Sequence, residues 1–325
     1  MKVLKMSDSV KLIVCFLSAF AIMVLSAPAG IPLLRRLKFG QTVRTEGPES
    51  HLAKNGTPTM GGLMILLSFA IPCLFLVRNN VEMIAPCVMT VLFGLVGFLD
   101  DFLKVKRKKS EGLKPWQKMS LQVLFTVGIL INLYYFTDIS LAVKIPFVSG
   151  EFNLGWWVIP FDFIVILGTD TGANFTDGLD GLVSKVTLVI FAFLFVIALA
   201  EGSSLIFPIA VFAGSLFGFL LFNAHPAKVF MGDTGALALG GFVALCAIEL
   251  KVPIFLIIIA FVYVAEVGSV IMQVSYFKLT HGKRIFKMTP IHHHFEKCGW
   301  KEEKVVTVFT IVTVILCMIG FLAFR

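Results

Sequence analysis

Ten apolar runs, most near the ~20 residues a helix needs to cross a hydrocarbon layer, fill most of this 325-residue chain. They lie at roughly 10–34, 60–77, 81–99, 119–137, 156–170, 182–200, 204–222, 235–250, 252–277 and 304–324. A bilayer core offers no water to backbone N–H and C=O groups, so such runs must close their hydrogen bonds within helices. An all-α polytopic membrane protein of about ten transmembrane helices is therefore expected. Only 15% of the residues are charged, against about a quarter in soluble domains, and mean hydropathy is +0.92. The run at 156–170 is short and carries Asp162, and the one at 252–277 is long and carries Glu266. These two boundaries are the loosest.

The loops sort by parity. Those after runs 1, 3, 5, 7 and 9 hold most of the basic residues, including Arg35, Arg36, Lys104, Lys106, Arg107, Lys114 and Lys118. The even loops carry only Arg78, Lys144 and Lys251. The positive-inside rule places the odd loops in the cytoplasm and both termini outside. Lys2, Lys5 and Lys11 count the other way. The first run ends in Ser26-Ala27-Pro28-Ala29, as a signal peptide does, but apolar residues continue to Leu34 and nine more runs follow. A retained first helix is expected. Residues 141–155 read as a small outside β-hairpin between helices 4 and 5, turning at Ser149-Gly150. No linker, repeat or low-complexity tract divides the chain, so 1–325 is read as one integral membrane domain. The net charge of +8 is spread over loops that return to the membrane; this suits anionic lipid and argues against nucleic acid. Five of the six Cys fall in apolar runs and only Cys298 in a loop, with no CxxC. No disulfide framework is expected.

Carboxylates near hydrocarbon are costly and are functional-site candidates by default. Asp100 and Asp101 end the third run and Lys104 follows one turn later. Adjacent helix residues point about 100° apart, so both cannot face one ion equally. The plain reading is an i,i+4 ion pair of Asp100 with Lys104, yet carboxylates at a helix C-terminus oppose the macrodipole. Asn174, Asp177 and Asp180 are spaced i, i+3, i+6, with Gly178 and Gly181 between and after them. They form either a polar turn that starts helix 6 or a ligand loop that glycine lets approach closely. Asp233 precedes Thr234-Gly235 and an apolar run. It is either an N-cap or a ligand for Mg²⁺, which favours hard oxygen donors and substrate phosphates. His292-His293-His294 lacks zinc-motif partners, so imidazoles donating to phosphate fit better. Lys54 and Thr59, flanking Asn55-Gly56-Thr57-Pro58, are candidate phosphate contacts. Asn223 opens the stretch to Phe230, an interfacial aromatic or a base-stacking platform.

Together GTPTMGG (56–62), DDFLK (100–104), NFTDGLDGL (174–182), FNAHPAKVFMGDTG (222–235) and TPIHHHFE (289–296) resemble the polyprenyl-phosphate sugar-1-phosphate transferase superfamily. The likeness covers nearly the whole chain. The last motif points to the branch that uses a muramoyl-pentapeptide rather than an N-acetylhexosamine substrate. One departure is Thr171-Gly172-Ala173 before Asn174, where the family more often has Asn-Ala-Val. The resemblance implies transfer of phospho-MurNAc-pentapeptide from UDP-MurNAc-pentapeptide to undecaprenyl phosphate, giving lipid I and UMP for peptidoglycan synthesis. It also implies Mg²⁺, ten membrane helices, a homodimer and a site at the cytoplasmic face of the bacterial inner membrane.

On that basis Asp233 is expected to bind Mg²⁺. Asp100 and Asp101 would orient or deprotonate the lipid phosphate and help hold the metal. Asn174, Asp177 and Asp180 would shape the nucleotide and diphosphate pocket. Lys54, Thr59, Lys104 and Lys118 would contact phosphates or uracil, Asn223 would line the substrate pocket, Phe230 would stack on uracil, and His292 and His293 would bind the muramoyl-linked part or its diphosphate. Two other readings stand beside this one. The first is an N-acetylhexosamine-1-phosphate transferase of the same superfamily. The second is a transporter of an anionic solute, although transporter sites lie near the midplane on broken helices within repeats.

Overall fold

The computed structural model describes residues 6–37, 56–77, 80–107, 111–137 and 139–324. Its elements in order are α1 (Met6–Arg36), α2 (Gly62–Leu76), α3 (Ile84–Arg107), α4 (Pro115–Phe136), β1 (Ala142–Lys144), β2 (Glu151–Asn153), α5 (Val158–Thr176), α6 (Leu182–Glu201), α7 (Ile206–Asn223), α8 (Gly232–Glu249), α9 (Leu256–Ile259), α10 (Phe261–Leu279), α11 (Ile291–Lys297) and α12 (Glu302–Ala323). Among the described residues eight helices are long and apolar enough to cross a membrane: α1, α3 to α8, and α12. The chain is an all-helical, multi-pass membrane protein.

The expected ten runs take three forms rather than one. Besides the eight helices of spanning length, α2 is apolar but only 15 residues long. The run at 252–277 is not one helix. It turns by 82° between Pro253–Ile259 and Phe261–Leu279. The pivot is Ala260, whose φ of −105° and ψ of +29° leave the helical region. Two other boundaries move. The third helix does not end at Leu99 but runs to Arg107, so Asp100 and Asp101 sit two turns inside it. Lys104, Lys106 and Arg107 then occupy its last turn, where cations suit the helix dipole. The fifth helix extends past Asp170 to Thr176 and takes in Asn174.

The bundle is built around α8. Every residue from Thr234 to Ile248 is buried, as expected of a helix apolar on all sides. Small residues let its neighbours approach closely. A Cβ on Gly97 of α3 would lie 2.1 Å from the Asp233 carbonyl oxygen, and one on Gly240 would lie 2.5 Å from the Asp170 Cα of α5. Below this level the Phe69, Phe191, Phe212 and Phe242 rings join α2, α6, α7 and α8, with centroids 4.5 to 5.5 Å apart. Offset and edge-on rings of this kind add to simple burial.

The two ends of the bundle differ. At one end β1 and β2 form the expected hairpin, antiparallel with Val143 opposite Phe152. Its loop is six residues, with Gly150 at φ +93°. Lys144 pairs with Glu201 at the end of α6, and Lys251, just past α8, pairs with Glu151. The Phe147 N–H donates to the Ala323 carbonyl at the end of α12. At the other end lie the C-termini of α3, α5, α7 and α10 and the N-termini of α2, α4, α6, α8 and α12. All the polar motifs collect there. Among the described residues no disulfide forms; five Cys are buried and Cys298 is exposed.

This arrangement predicts a labelling pattern. In a Cys298→Ser background, single cysteines at the exposed positions Lys228 and Lys283 should react with an impermeant maleimide from the same side of sealed vesicles. A cysteine at Ser149 should react only from the opposite side. Reaction at 149 and 228 from one side would break the two-ended architecture.

Candidate active site

Asp101 performs the capping task that Asp233 was a candidate for. Helix α8 begins at Gly232 without a side-chain cap from its own N-cap residue, Met231. Its first N–H groups are instead met by Asp101, reaching across from α3. The Asp101 carboxylate accepts from the Thr234 N–H at 3.0 Å, the Thr234 hydroxyl at 2.7 Å and the Asp233 N–H at 3.3 Å. An anion at a helix N-terminus satisfies orphan donors and meets the positive end of the dipole. The close crossing at Gly97 makes this reach short.

Relieved of the capping role, the Asp233 side chain faces the other way. Its Oδ2 lies 2.9 Å from Lys104 Nζ and 2.8 Å from Lys118 Nζ. Its Oδ1 accepts from Asn174 Nδ2 at 3.0 Å, and Asn174 Oδ1 takes Lys118 at 3.3 Å. Asp100 points between these groups. Its Oδ2 pairs with Lys104 at 2.6 Å, the expected i,i+4 pair, and its Oδ1 accepts the Leu113 N–H at 2.7 Å. Three carboxylates thus face two ammonium groups. The Asp233 side chain is 19% exposed, so the centre is open to a ligand.

The 100° divergence of Asp100 and Asp101 does not keep them apart, because the centre lies between α3 and α8 rather than along one helix face. One oxygen from each of Asp100, Asp101 and Asp233 falls within 4.8 Å of the others. A six-coordinate ion with bonds of about 2.1 Å holds its ligands roughly 3–4 Å apart. The all-oxygen donor set and its spacing therefore fit a hard metal ion.

The other sequence candidates fall into three places. Thr59 lies beside the centre: a Cβ on Gly232 would stand 2.5 Å from Asp101 Oδ2 and 2.9 Å from Thr59 Oγ1. Its segment is fastened to the start of α8 by Phe230 N–H to Pro58 O, Gly61 N–H to Phe230 O and Gly62 N–H to Met231 O. This fixes the backbone of Phe230, a half-buried residue. Asn223 is buried and donates to the Val229 carbonyl at 3.0 Å, bracing the same loop. Asp177 caps the C-terminus of α5, its N–H on the Asn174 carbonyl. Asp180 enters a different group. Its Oδ2 accepts the Ala227 N–H at 2.9 Å and meets His225 Nδ1 at 3.1 Å, while its N–H donates to Glu302 Oε1 at 2.6 Å. This ties the 224–230 loop to the start of α12. His293 pairs with Glu296 at 2.8 Å. His292 is buried, with Nδ1 3.0 Å from Glu266 Oε1. Lys54 lies outside the described residues.

Sequence reasoning singled out neither Gln122 with Asp170, a buried hydrogen-bonded pair one turn deeper than Lys118 and Asn174, nor the partnership of His225 with Glu302. The usable signal was Asp170 at the edge of an apolar run. Glu302 follows Lys301 at a helix start and carries no such signal.

A bundle of apolar helices with a carboxylate–lysine centre at one end defines a class of membrane-embedded enzyme acting on anionic groups, and residues 83–251 match the family described as glycosyl transferase family 4. Residues 54–66 match the phospho-N-acetylmuramoyl-pentapeptide-transferase signature 1. Relatives bearing the name phospho-N-acetylmuramoyl-pentapeptide-transferase include one from Clostridium perfringens (strain ATCC 13124), 48% identical over 99% of both chains. Others come from Clostridium botulinum (strain Eklund 17B), 47% identical over 94% of both, and Acetivibrio thermocellus, 45% identical over 95% of this chain and 94% of the relative. The chain belongs to the phospho-N-acetylmuramoyl-pentapeptide-transferase family.

The division of labour between the two carboxylates on α3 and α8 can be measured. Asp101→Ala strands the buried Thr234 N–H and hydroxyl, so stability should fall by about 1–3 kcal/mol. Asp233→Asn keeps the contact to Asn174 and should leave the thermal midpoint in detergent within a few degrees, while turnover falls by roughly 10²–10³, the scale seen when one key electrostatic group is lost. Equal destabilisation by both variants would contradict the assignment.

Proposed function

We propose that this chain transfers phospho-MurNAc-pentapeptide from UDP-MurNAc-pentapeptide to undecaprenyl phosphate. A phosphate oxygen of the lipid forms a bond to the sugar-bearing phosphorus, the bond from that phosphorus to UMP breaks, and lipid I and UMP result. The carrying observation is the Asp100–Asp101–Asp233 centre with Lys104 and Lys118, placed at one end of a membrane bundle where a lipid and a soluble nucleotide can meet. Lys104, Lys106, Arg107, Lys114 and Lys118, at the end of α3 and the start of α4, lie at this same end, which supports a cytoplasmic orientation in the bacterial inner membrane. The proposal includes a homodimer.

Two anions must approach one another, so the barrier is largely electrostatic. The lipid phosphate, with a second pKa near ~6, is mostly dianionic at neutral pH, which reduces the need for a strong base. Lys104 and Lys118 hold ammonium groups within 3 Å of Asp233 Oδ2, where they can take over anionic phosphate oxygens. Mg²⁺ held by Asp233, with Asp100 and Asp101, would add positive charge against the diphosphate. Thr59 and Lys54 are assigned to phosphate, Asn174 and Asp177 to the pocket wall beside Lys118, and Asp180 and Asn223 to the loop that presents Phe230 to uracil. Of the two His expected on the muramoyl-linked part, His293 keeps that assignment, while His292, 1% exposed and facing Glu266, is too buried to share it.

Direct attack is favoured over a phosphorylated aspartate. Both oxygens of Asp101 are engaged by the start of α8, and those of Asp100 by Leu113 and Lys104. Donors on every oxygen make a carboxylate a poor nucleophile. The one-face site also argues against the transporter reading, whose sites lie near the midplane.

The test is an incubation of purified protein with labelled UDP-MurNAc-pentapeptide, undecaprenyl phosphate and Mg²⁺, in which labelled lipid and UMP should form together. Replacement of the nucleotide substrate by a UDP-N-acetylhexosamine should give no labelled lipid; product from it would favour the sister branch. In lipid-free enzyme neither UMP release nor exchange of labelled UMP should occur. A burst of UMP stoichiometric with enzyme and without lipid would overturn direct attack while leaving the transfer itself intact.

A further inference from the structure

Glu266 is fully buried in α10, a helix whose other faces show apolar residues such as Val264, Ile271 and Met272 to the outside. A carboxylate held in such surroundings is costly and usually has a named partner. Neither Glu266 oxygen accepts a well-directed hydrogen bond. The neighbouring Ser269 hydroxyl goes to the Glu266 carbonyl, not to its carboxylate. The group facing the carboxylate is His292, 1% exposed, with Nδ1 3.0 Å from Oε1.

The opposite edge of the same ring rests on the polar turn after α5. A Cβ on Gly178 would lie 2.1 Å from His292 Nε2, so only glycine admits the ring there. His292 is therefore gripped between Glu266 and the backbone of the Asp177–Asp180 turn. That turn follows Asn174, which binds Asp233 directly. The ring links α10 and the α5–α6 turn to the carboxylate centre.

We propose that Glu266 is a positioning residue for the transfer reaction: its carboxylate, 3.0 Å from Nδ1, backs the His292 ring against the Gly178 turn, so that this turn keeps Asn174 and Asp177 in register with Asp233. This rests on the function proposed above. A carboxylate beside one ring nitrogen biases the orientation of an imidazole, and loss of an outer partner of this kind at metal sites typically costs 10–100-fold in affinity or activity, which sets the scale expected here. The alternative is a buried pair that only holds α10 and α11 together. It predicts loss of stability without a selective loss of turnover.

Glu266→Gln, Glu266→Asp and His292→Gln, and the double variant Glu266→Gln/His292→Gln, distinguish the two. Lipid product and thermal midpoint are measured for each beside the wild type. Glu266→Gln should lose at least about tenfold in kcat, with KM for the nucleotide substrate within threefold and a midpoint near that of the wild type. Glu266→Asp should restore part of the loss. The double variant should turn over no more slowly than His292→Gln, because both act through one ring. If Glu266→Gln does not fold, the double variant, which removes charge and partner together, supplies the comparison with His292→Gln. Wild-type kcat in Glu266→Gln, or a further tenfold loss on adding it to His292→Gln, would overturn the inference. Absence of lipid product from the wild type would instead overturn the function on which it rests.

Discussion

The three carboxylates of the centre persist at the end of this apolar bundle because fixed positive charge and N–H groups are matched to them. Lys104 is the hinge of that compensation. It lies 2.6 Å from Asp100, 3.7 Å from Asp101 and 2.9 Å from Asp233. Its ammonium offsets the repulsion among three carboxylates that lie within a few ångströms of one another. The centre behaves as one electrostatic unit, and the packing of α3 against α8 is inseparable from it. The Gly97 crossing brings Asp101 to the start of α8, and Asp101 in turn secures that start.

Around this unit the scaffold is rigid at the level of side chains. Helix α8 has no exposed face along most of its length, and the Phe69–Phe191–Phe212–Phe242 cluster locks it to three other helices. Close-packed interiors transmit displacement rather than absorb it. The turn after α5, the loop before α8 and the start of α12 are fastened to this scaffold through Asp180, His225 and Glu302. Loops that carry binding residues can then be irregular without being loose.

Much of this was legible in the sequence, for identifiable reasons. Apolar runs near the span length give helices because backbone satisfaction leaves no other choice, so the all-helical architecture followed directly. The carboxylates of the centre stood out because charge is rare in such runs. Boundaries were less legible. Hydropathy falls at Asp100, but the helix continues to Arg107 because Lys104 neutralises the acids from within. The 82° turn at Ala260 has no Pro or Gly at the pivot to announce it. Asp233 was the one residue weighed as a cap for α8, because a sequence displays only caps that are adjacent in the chain. The cap that forms comes from a residue 132 positions away.

The reach of Asp101 across to α8 has a consequence for biogenesis. A chain inserted from its N-terminus places α3 in the membrane long before α8 exists. Through that interval Asp100, Asp101 and Lys104 must be tolerated without Asp233 and without the helix end that later receives Asp101. The Asp100–Lys104 pair, contained within a single helix, provides partial neutralisation at once. Arrival of α8 then supplies the missing donors to Asp101 and brings Asp233 to Lys104.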